Sequence, residues 1–160
     1  MEYSLFMIKP CAYEKKEEIL KIINQKLKIV YTRNIILNEE FLNKLYRHEK
    51  NEVYKAINTD QLKEKKACIG IVSGENAIQD LIDICGDKPL GTICEENSIR
   101  YKFAPKEEIM HIGEQIFFVN SIHKAAPEEA LYQVTLFIKE FLSDEFNKNN
   151  IAENEIEDDR

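Results

Sequence analysis

Four short apolar runs, separated by stretches of helical periodicity, do most to limit what this chain can become. Tyr3 to Ile8 is a strand-length apolar segment closed by Lys9-Pro10. Proline has no N–H to give a sheet ladder, so the strand must end there and leave Lys9 at its tip. Ile29 to Leu37 is rich in β-branched residues, Ala67 to Val72 is a compact β-rich run bounded by Ser73-Gly74, and Ile116 to Val119 carries the apolar pattern of a fourth strand. Between them, Glu17 to Leu27 sets Ile19, Leu20, Ile22, Ile23 and Leu27 on one helical face. Glu39 to Arg47 and Glu52 to Asp60 read as two short helices with charged outer faces, and Asn76 to Ile84 is again helical. A last helix lines up Ala130, Leu131, Val134, Phe137, Ile138, Phe141 and Leu142. The order β-α-β-β-α-β with extra helices predicts an α+β fold, a ferredoxin-like antiparallel sheet in a single domain. The pattern leaves the shape of Ser98 to Phe103 and of Pro105 to Gly113 open.

The chain has 160 residues, 44% of them apolar, enough to close one core without disulfides or metal. The formal charge of -7 is unevenly spread: from Asp144 to Arg160 seven acids oppose only Lys148 and Arg160, giving -5 there and about -2 for the rest. Residues 1–143 are therefore expected to form the domain and residues 144–160 an acidic, disordered tail. No basic stripe offers counterion release, so nucleic acid is not expected as the principal partner. No run approaches the roughly 18 apolar residues of a membrane span, and Met1-Glu2-Tyr3 lacks a signal peptide's basic start, which together predict a cytoplasmic protein with no membrane partner. Cys11, Cys68, Cys85 and Cys94 are scattered without a C-x-x-C pair, so neither a zinc site nor a disulfide frame is expected.

The candidate chemistry sits at the end of Ile116 to Val119, where the strand delivers Asn120 and His123 into a loop before a helix announced by Pro127 and Glu128-Glu129. A neutral imidazole held there is a good nucleophile near pH 7. Met7-Ile8-Lys9-Pro10, Pro89-Leu90-Gly91-Thr92-Ile93 and Asn120-Ser121-Ile122-His123 occur in one order along the chain. Together they resemble the nucleoside diphosphate kinase family over about residues 3 to 142.

That resemblance implies a ping-pong phosphotransferase, working with Mg²⁺ held by the nucleotide's phosphates and with no metal ligand from protein side chains. It moves the γ-phosphoryl of ATP or another nucleoside triphosphate to a nucleoside diphosphate. It implies His123 as the phosphorylated nucleophile, Lys9 as a phosphate-facing lysine, Asn120 as a contact to the sugar 3′-hydroxyl, Tyr46 beside the reacting phosphate and Tyr54 as the ring on which the base stacks. It also implies a homo-oligomer built from dimers.

The departures from the family are specific. Its first phosphate-binding arginine falls on Ile82, the second, counted from Gly91-Thr92-Ile93, on Cys94, and a threonine on Lys88. The small-then-Ser pair after the histidine becomes Lys124-Ala125, and the glutamate that orients the imidazole, counted eleven residues on, becomes Val134. Neither Ile nor Cys can do a guanidinium's bidentate work on phosphate. Lys88 is the expected substitute contact, with Arg47, Arg100 and Lys124 as further cations and Glu128 or Glu129 as substitute orienters. The segment from Ser98 to Ile116 is longer than the family's link, and His111 within it reads as a solvent-exposed loop residue. The alternative function is a degenerate member acting as a nucleotide-binding or regulatory module.

Overall fold

The computed structural model describes residues 1–142; the acidic tail expected over 144–160 lies outside the described residues. β1 (Glu2–Ile8) ends at Lys9, and a 3₁₀ turn starting on Pro10 leads into α1 (Lys16–Asn24). β2 (Lys28–Ile36) follows, then α2 (Glu39–Leu45), α3 (Glu52–Leu62), β3 (Lys66–Gly74) and α4 (Ala77–Cys85). Past a 3₁₀ turn at Gly91–Ile93 come α5 (Ile99–Lys102), β4 (Ile109–Ile112), β5 (Gln115–Phe118) and β6 (Ile122–Lys124). A 3₁₀ turn at Pro127–Glu129 opens α6 (Ala130–Phe137), and π-type turns carry the chain to Leu142.

The main sheet runs β2-β3-β1-β6, with every neighbour antiparallel. With α1 and α4 as the intervening helices this is the ferredoxin-like βαββαβ arrangement. β1 lies centrally, and both its faces are covered. Leu5 and Met7 join Phe41, Leu45, Ile69 and Phe137 on one side, while Phe6 and Ile8 join Ile19, Ile23, Leu81 and Ile122 on the other. The period of two along a strand makes this division, and each fully buried large side chain contributes about 1.5–3 kcal/mol. Gly70 of β3 makes room for the Phe6 ring, which a Cβ there would strike.

One sequence expectation is corrected. Gln115–Phe118 is not a strand of the main sheet: it pairs with Ile109–Ile112 in a separate hairpin turned at Gly113 (φ +62°). His111 therefore stands in a strand, exposed, and not in a loop. The fourth strand of the main sheet is Ile122–Lys124, and His123 is its central residue, paired with Met7. A three-residue strand centred on a polar side chain has no apolar signature, whereas the hairpin strand, with Ile116 exposed and Phe117 buried, has the alternation of a sheet strand.

The ends of α2 and α3 are set by caps. Asn38 accepts from Phe41 N at 2.8 Å and Asn51 from Tyr54 N at 3.0 Å, which fixes where each helix begins.

Candidate active site

His123 is buried on the sheet face that Met7 shares, because directly paired residues of an antiparallel ladder point the same way. The chain on either side of β6 is also tied to β1, through Lys9 N to Ser121 O at 2.9 Å and Ala125 N to Leu5 O at 3.0 Å. Its Nε2 lies 2.8 Å from Gln133 Oε1. The amide nitrogen of Gln133 donates to Leu45 O at 3.4 Å, so the amide oxygen faces the ring. Nε2 must then carry the proton, and Nδ1 keeps its lone pair. Burial pushes the imidazole down to about 3; the Gln133 bond opposes this, and the charges of Lys9, Arg100 and Lys124 add to it. The ring is neutral at physiological pH, as a nucleophile must be.

Lys9, released from β1 by Pro10, donates from Nζ to Asn120 Oδ1 at 2.9 Å. Asn120, also buried, uses Nδ2 to hold Pro89 O at 2.9 Å. Burial first, and Arg100 second, bring the Lys9 ammonium down to about 7. Tyr46, just past the end of α2, sets its ring edge-on to His123 with centroids 5.0 Å apart. Its hydroxyl is buried and makes no hydrogen bond of good geometry, although Asn58 lies close enough to favour the phenolate slightly. Burial pushes its pKa far above that of a free phenol. Lys9, Asn120, Tyr46 and His123 are thus brought together.

The other expected residues fare differently. Tyr54 stands in the first turn of α3 with its ring 5.0 Å from that of Phe117 at 40°. The tilt and spacing leave no room for a base between these two rings. Lys88 pairs with Asp87 at the surface at 3.3 Å; only its backbone serves the site, its carbonyl accepting from Arg100 Nη1 at 2.7 Å. Cys94 is buried, with Sγ against the carbonyls of Lys88 and Leu90.

Two groups stand at the site outside the counted positions, Arg100, offered above only as one of several further cations, and Gln133. A guanidinium is absent at Cys94 but arrives six residues later: Arg100 is buried, and its Nε and Nη2 hold Ile122 O at 3.0 and 2.9 Å. No carboxylate pairs with it among the described residues, and its charge is felt by His123, Lys9 and Tyr46. The partner of the histidine is Gln133 and not the residue at Val134, which packs into the core beside α2 and the sheet. Glu129, offered as a substitute orienter, is engaged by Arg47, and Glu128 is exposed. An amide or acid ten or eleven residues past the histidine, on the face toward it, was the available signal. A residue's error in the count rotates a helix position by about 100°.

The result is a buried neutral imidazole that feels the charges of Lys9, Arg100 and, more weakly, Lys124, with an orphaned phenol beside it. This is an environment made for a polyanion. Among the described residues, no group of three His, Cys, Asp or Glu side chains converges to hold a metal ion.

Comparison with known proteins finds the same fold. The sequence profile of nucleoside diphosphate kinase matches residues 2–141. Solved structures similar to this chain include the nucleoside diphosphate kinase of Aquifex aeolicus, at 20% identity over 85% of this chain and 94% of that one, with a TM-score of 0.69. The Borrelia burgdorferi enzyme with bound vanadate and ADP has 18% identity, coverage of 87% and 88%, and a TM-score of 0.74. The Halobacterium salinarum enzyme in complex with CDP has 15% identity, coverage of 85% and 86%, and a TM-score of 0.70. No curated protein sequence matches significantly.

Proposed function

Because this chain belongs to the nucleoside diphosphate kinase family, we propose that it is a phosphotransferase that moves the γ-phosphoryl of a nucleoside triphosphate to a nucleoside diphosphate through phospho-His123. The observation that carries this is the imidazole itself: buried, neutral, with Nε2 committed to Gln133 and the Nδ1 lone pair free.

In the first half-reaction Nδ1 attacks the γ-phosphorus, the bond from that phosphorus to the β,γ-bridging oxygen breaks, and the diphosphate leaves with the electron pair. The ring, still protonated at Nε2, becomes cationic, and Gln133 Oε1 accepts its hydrogen bond. In the second half a terminal β-phosphate oxygen of the acceptor attacks the phosphorus and Nδ1 departs neutral. No general base is needed, so catalysis is positioning and charge neutralisation. Arg100 and Lys9 answer the charge on the transferring group, Lys124 adds to it, and the Tyr46 hydroxyl has a donor free for a phosphate oxygen. Asn120, tied to Lys9, is suited to a sugar hydroxyl. Mg²⁺ carried on the nucleotide's phosphates supplies further neutralisation, and a site of cations and neutral donors fits a metal that arrives with its own ligands.

A slower enzyme than the family's pattern implies is expected, since Ile82 offers no charge. A second reading, a nucleotide-binding module without turnover, is favoured by Ile82, which stands where the family's pattern has a phosphate-binding arginine. We further propose a homo-oligomer built from dimers. Its support is the open edge of β2 and an apolar groove of about 390 Å³ between β2 and α6, beside which Leu131 is 81% exposed. No helix among the described residues is long and apolar enough to cross a membrane; cytoplasmic residence is proposed with the function.

Labelled ATP and Mg²⁺ should leave an acid-labile label on the wild type and none on His123→Ala. An unlabelled wild type that ADP nevertheless protects against thermal unfolding would establish the second reading instead.

A further inference from the structure

Glu129 is a carboxylate that the phosphoryl chemistry has no use for. Its sign is wrong for a phosphate site, yet its side chain is only 7% exposed and stands at the start of α6, whose Gln133 holds the nucleophile. What it touches is the other wall of the site. Arg47 Nε and Nη2 meet its two oxygens at 3.1 and 2.9 Å, a fork-to-fork pair, and His48 Nδ1 lies 3.6 Å from the same group. The Arg47 guanidinium also lies 3.3 Å from the centroid of the Tyr132 ring. One residue further along α6, Gln133 donates to Leu45 O.

These contacts form a pattern. Glu129, Tyr132 and Gln133 have the i, i+3, i+4 spacing of one helix face. They grip Leu45, Arg47 and His48, and the remaining residue of that stretch, Tyr46, is the one pressed onto His123. The stretch has little regular structure to place it: α2 has ended, and Tyr46 has φ -103° and ψ 27°.

We propose that Glu129 is a positioning residue: through Arg47 it clamps the end of α2 onto the start of α6 and so holds Tyr46 against the His123 imidazole. Its part in catalysis rests on the reading of His123 as phosphoryl acceptor; the clamp itself does not. Without it, Tyr46 is free to swing away, water reaches the ring, and the imidazole loses both its desolvation and its single tautomer. The charged groups that act on His123, Lys9, Arg100 and more weakly Lys124, are untouched by the change, so a shift in its titration reports burial and not a new charge.

The test uses the full chain with ¹⁵N-labelled histidine, Glu129→Gln and Arg47→Met, and imidazole NMR from pH 4.5 to 8, with His123→Ala to assign the ring among three histidines. In the wild type the His123 signals should not titrate and should show only the Nε2–H tautomer. In both variants the ring should titrate above about pH 5, toward the ordinary imidazole value, with the two tautomers mixed. Single-turnover labelling by ATP at saturating nucleotide should slow about tenfold. A His123 titration and tautomer identical to wild type in both folded variants overturns the proposal. A shifted titration in a protein whose wild type takes no label sustains the clamp and removes the phosphotransferase reading instead. Loss of thermal stability alone, with His123 unmoved, would make Glu129 a structural residue and also overturns it.

Discussion

Replacing Gln133 by glutamate should make His123 a better phosphoryl acceptor. The native contact is a 2.8 Å bond between Nε2 and an amide oxygen, with Gln133 fully buried. Before attack the ring is neutral and the bond is ordinary; after attack the ring is cationic, and the same bond becomes charge-assisted on one side only. Bonds to charged groups are worth about 1.5–3 kcal/mol against about 0.5–1.5 for neutral ones, so a carboxylate should favour the phosphorylated ring by about 1 kcal/mol more than the amide does. Two costs oppose the gain. The carboxylate must be buried, and it surrenders the donor now given to Leu45 O, leaving two oxygens facing each other. Lys9, Arg100 and Lys124 repay part of the first. A net acceleration of at most about fivefold in single-turnover labelling is expected. The Gln133→Leu variant brackets the argument from below: it strands the Nε2 proton without an acceptor, at about 1–3 kcal/mol, and should slow labelling about five- to 100-fold. The sign of the pH effect follows. A carboxylate favours the imidazolium, so in Gln133→Glu the histidine titrates above its present value of about 3, and the acid limb of the labelling rate moves to higher pH. Rapid-quench labelling with ATP across pH measures both. Gln133→Leu labelling as fast as wild type would refute the assignment of Gln133 as the partner that sets the tautomer.

Arg100→Met should cut labelling by about 10²–10³, because it removes the buried guanidinium nearest the histidine, and Arg100→Lys should not restore it, since one ammonium cannot hold Ile122 O and Lys88 O together; equal rates in all three proteins would end that reading. Lys9 is held near 7, so nucleotide binding at pH 8 should take up a proton, visible by calorimetry in buffers of different ionisation enthalpy, and should weaken as pH rises. The same shift has a signature without ligand. The unfolded chain binds this proton up to about pH 10.5 and the folded one only to about 7, so stability should rise with pH across that window, and Lys9→Met should flatten the rise. At Gly91 a Cβ would overlap the carbonyl of Arg100, so Gly91→Ala should lower unfolding free energy by about 1–3 kcal/mol in denaturant titration, and an unchanged midpoint would count against the close packing of that turn.

Local pattern alone reaches far into this protein. The order of strands and helices, the stop at Pro10 that leaves Lys9 at a strand tip, and the pairing of Asn120 with His123 across three residues are all properties of short stretches, and periodicity and motif record them faithfully. What stayed hidden depends on how distant stretches meet. Gln115–Phe118 has the alternation of a sheet strand, but β1 accepts Ile122–Lys124 instead, because register is settled by the partner strand and not by the run itself. Arg100 lies twenty-two residues before the carbonyl it holds, and the turn that carries it there has no counterpart in a count from Gly91. Gln133 and Val134 are neighbours in sequence, yet one residue of helix is about 100° of rotation, which sends one side chain to the imidazole and the other into the core. The sequence by itself singled out the histidine; only the tertiary structure decided which amide meets its Nε2 and which guanidinium lies buried at the strand that carries it.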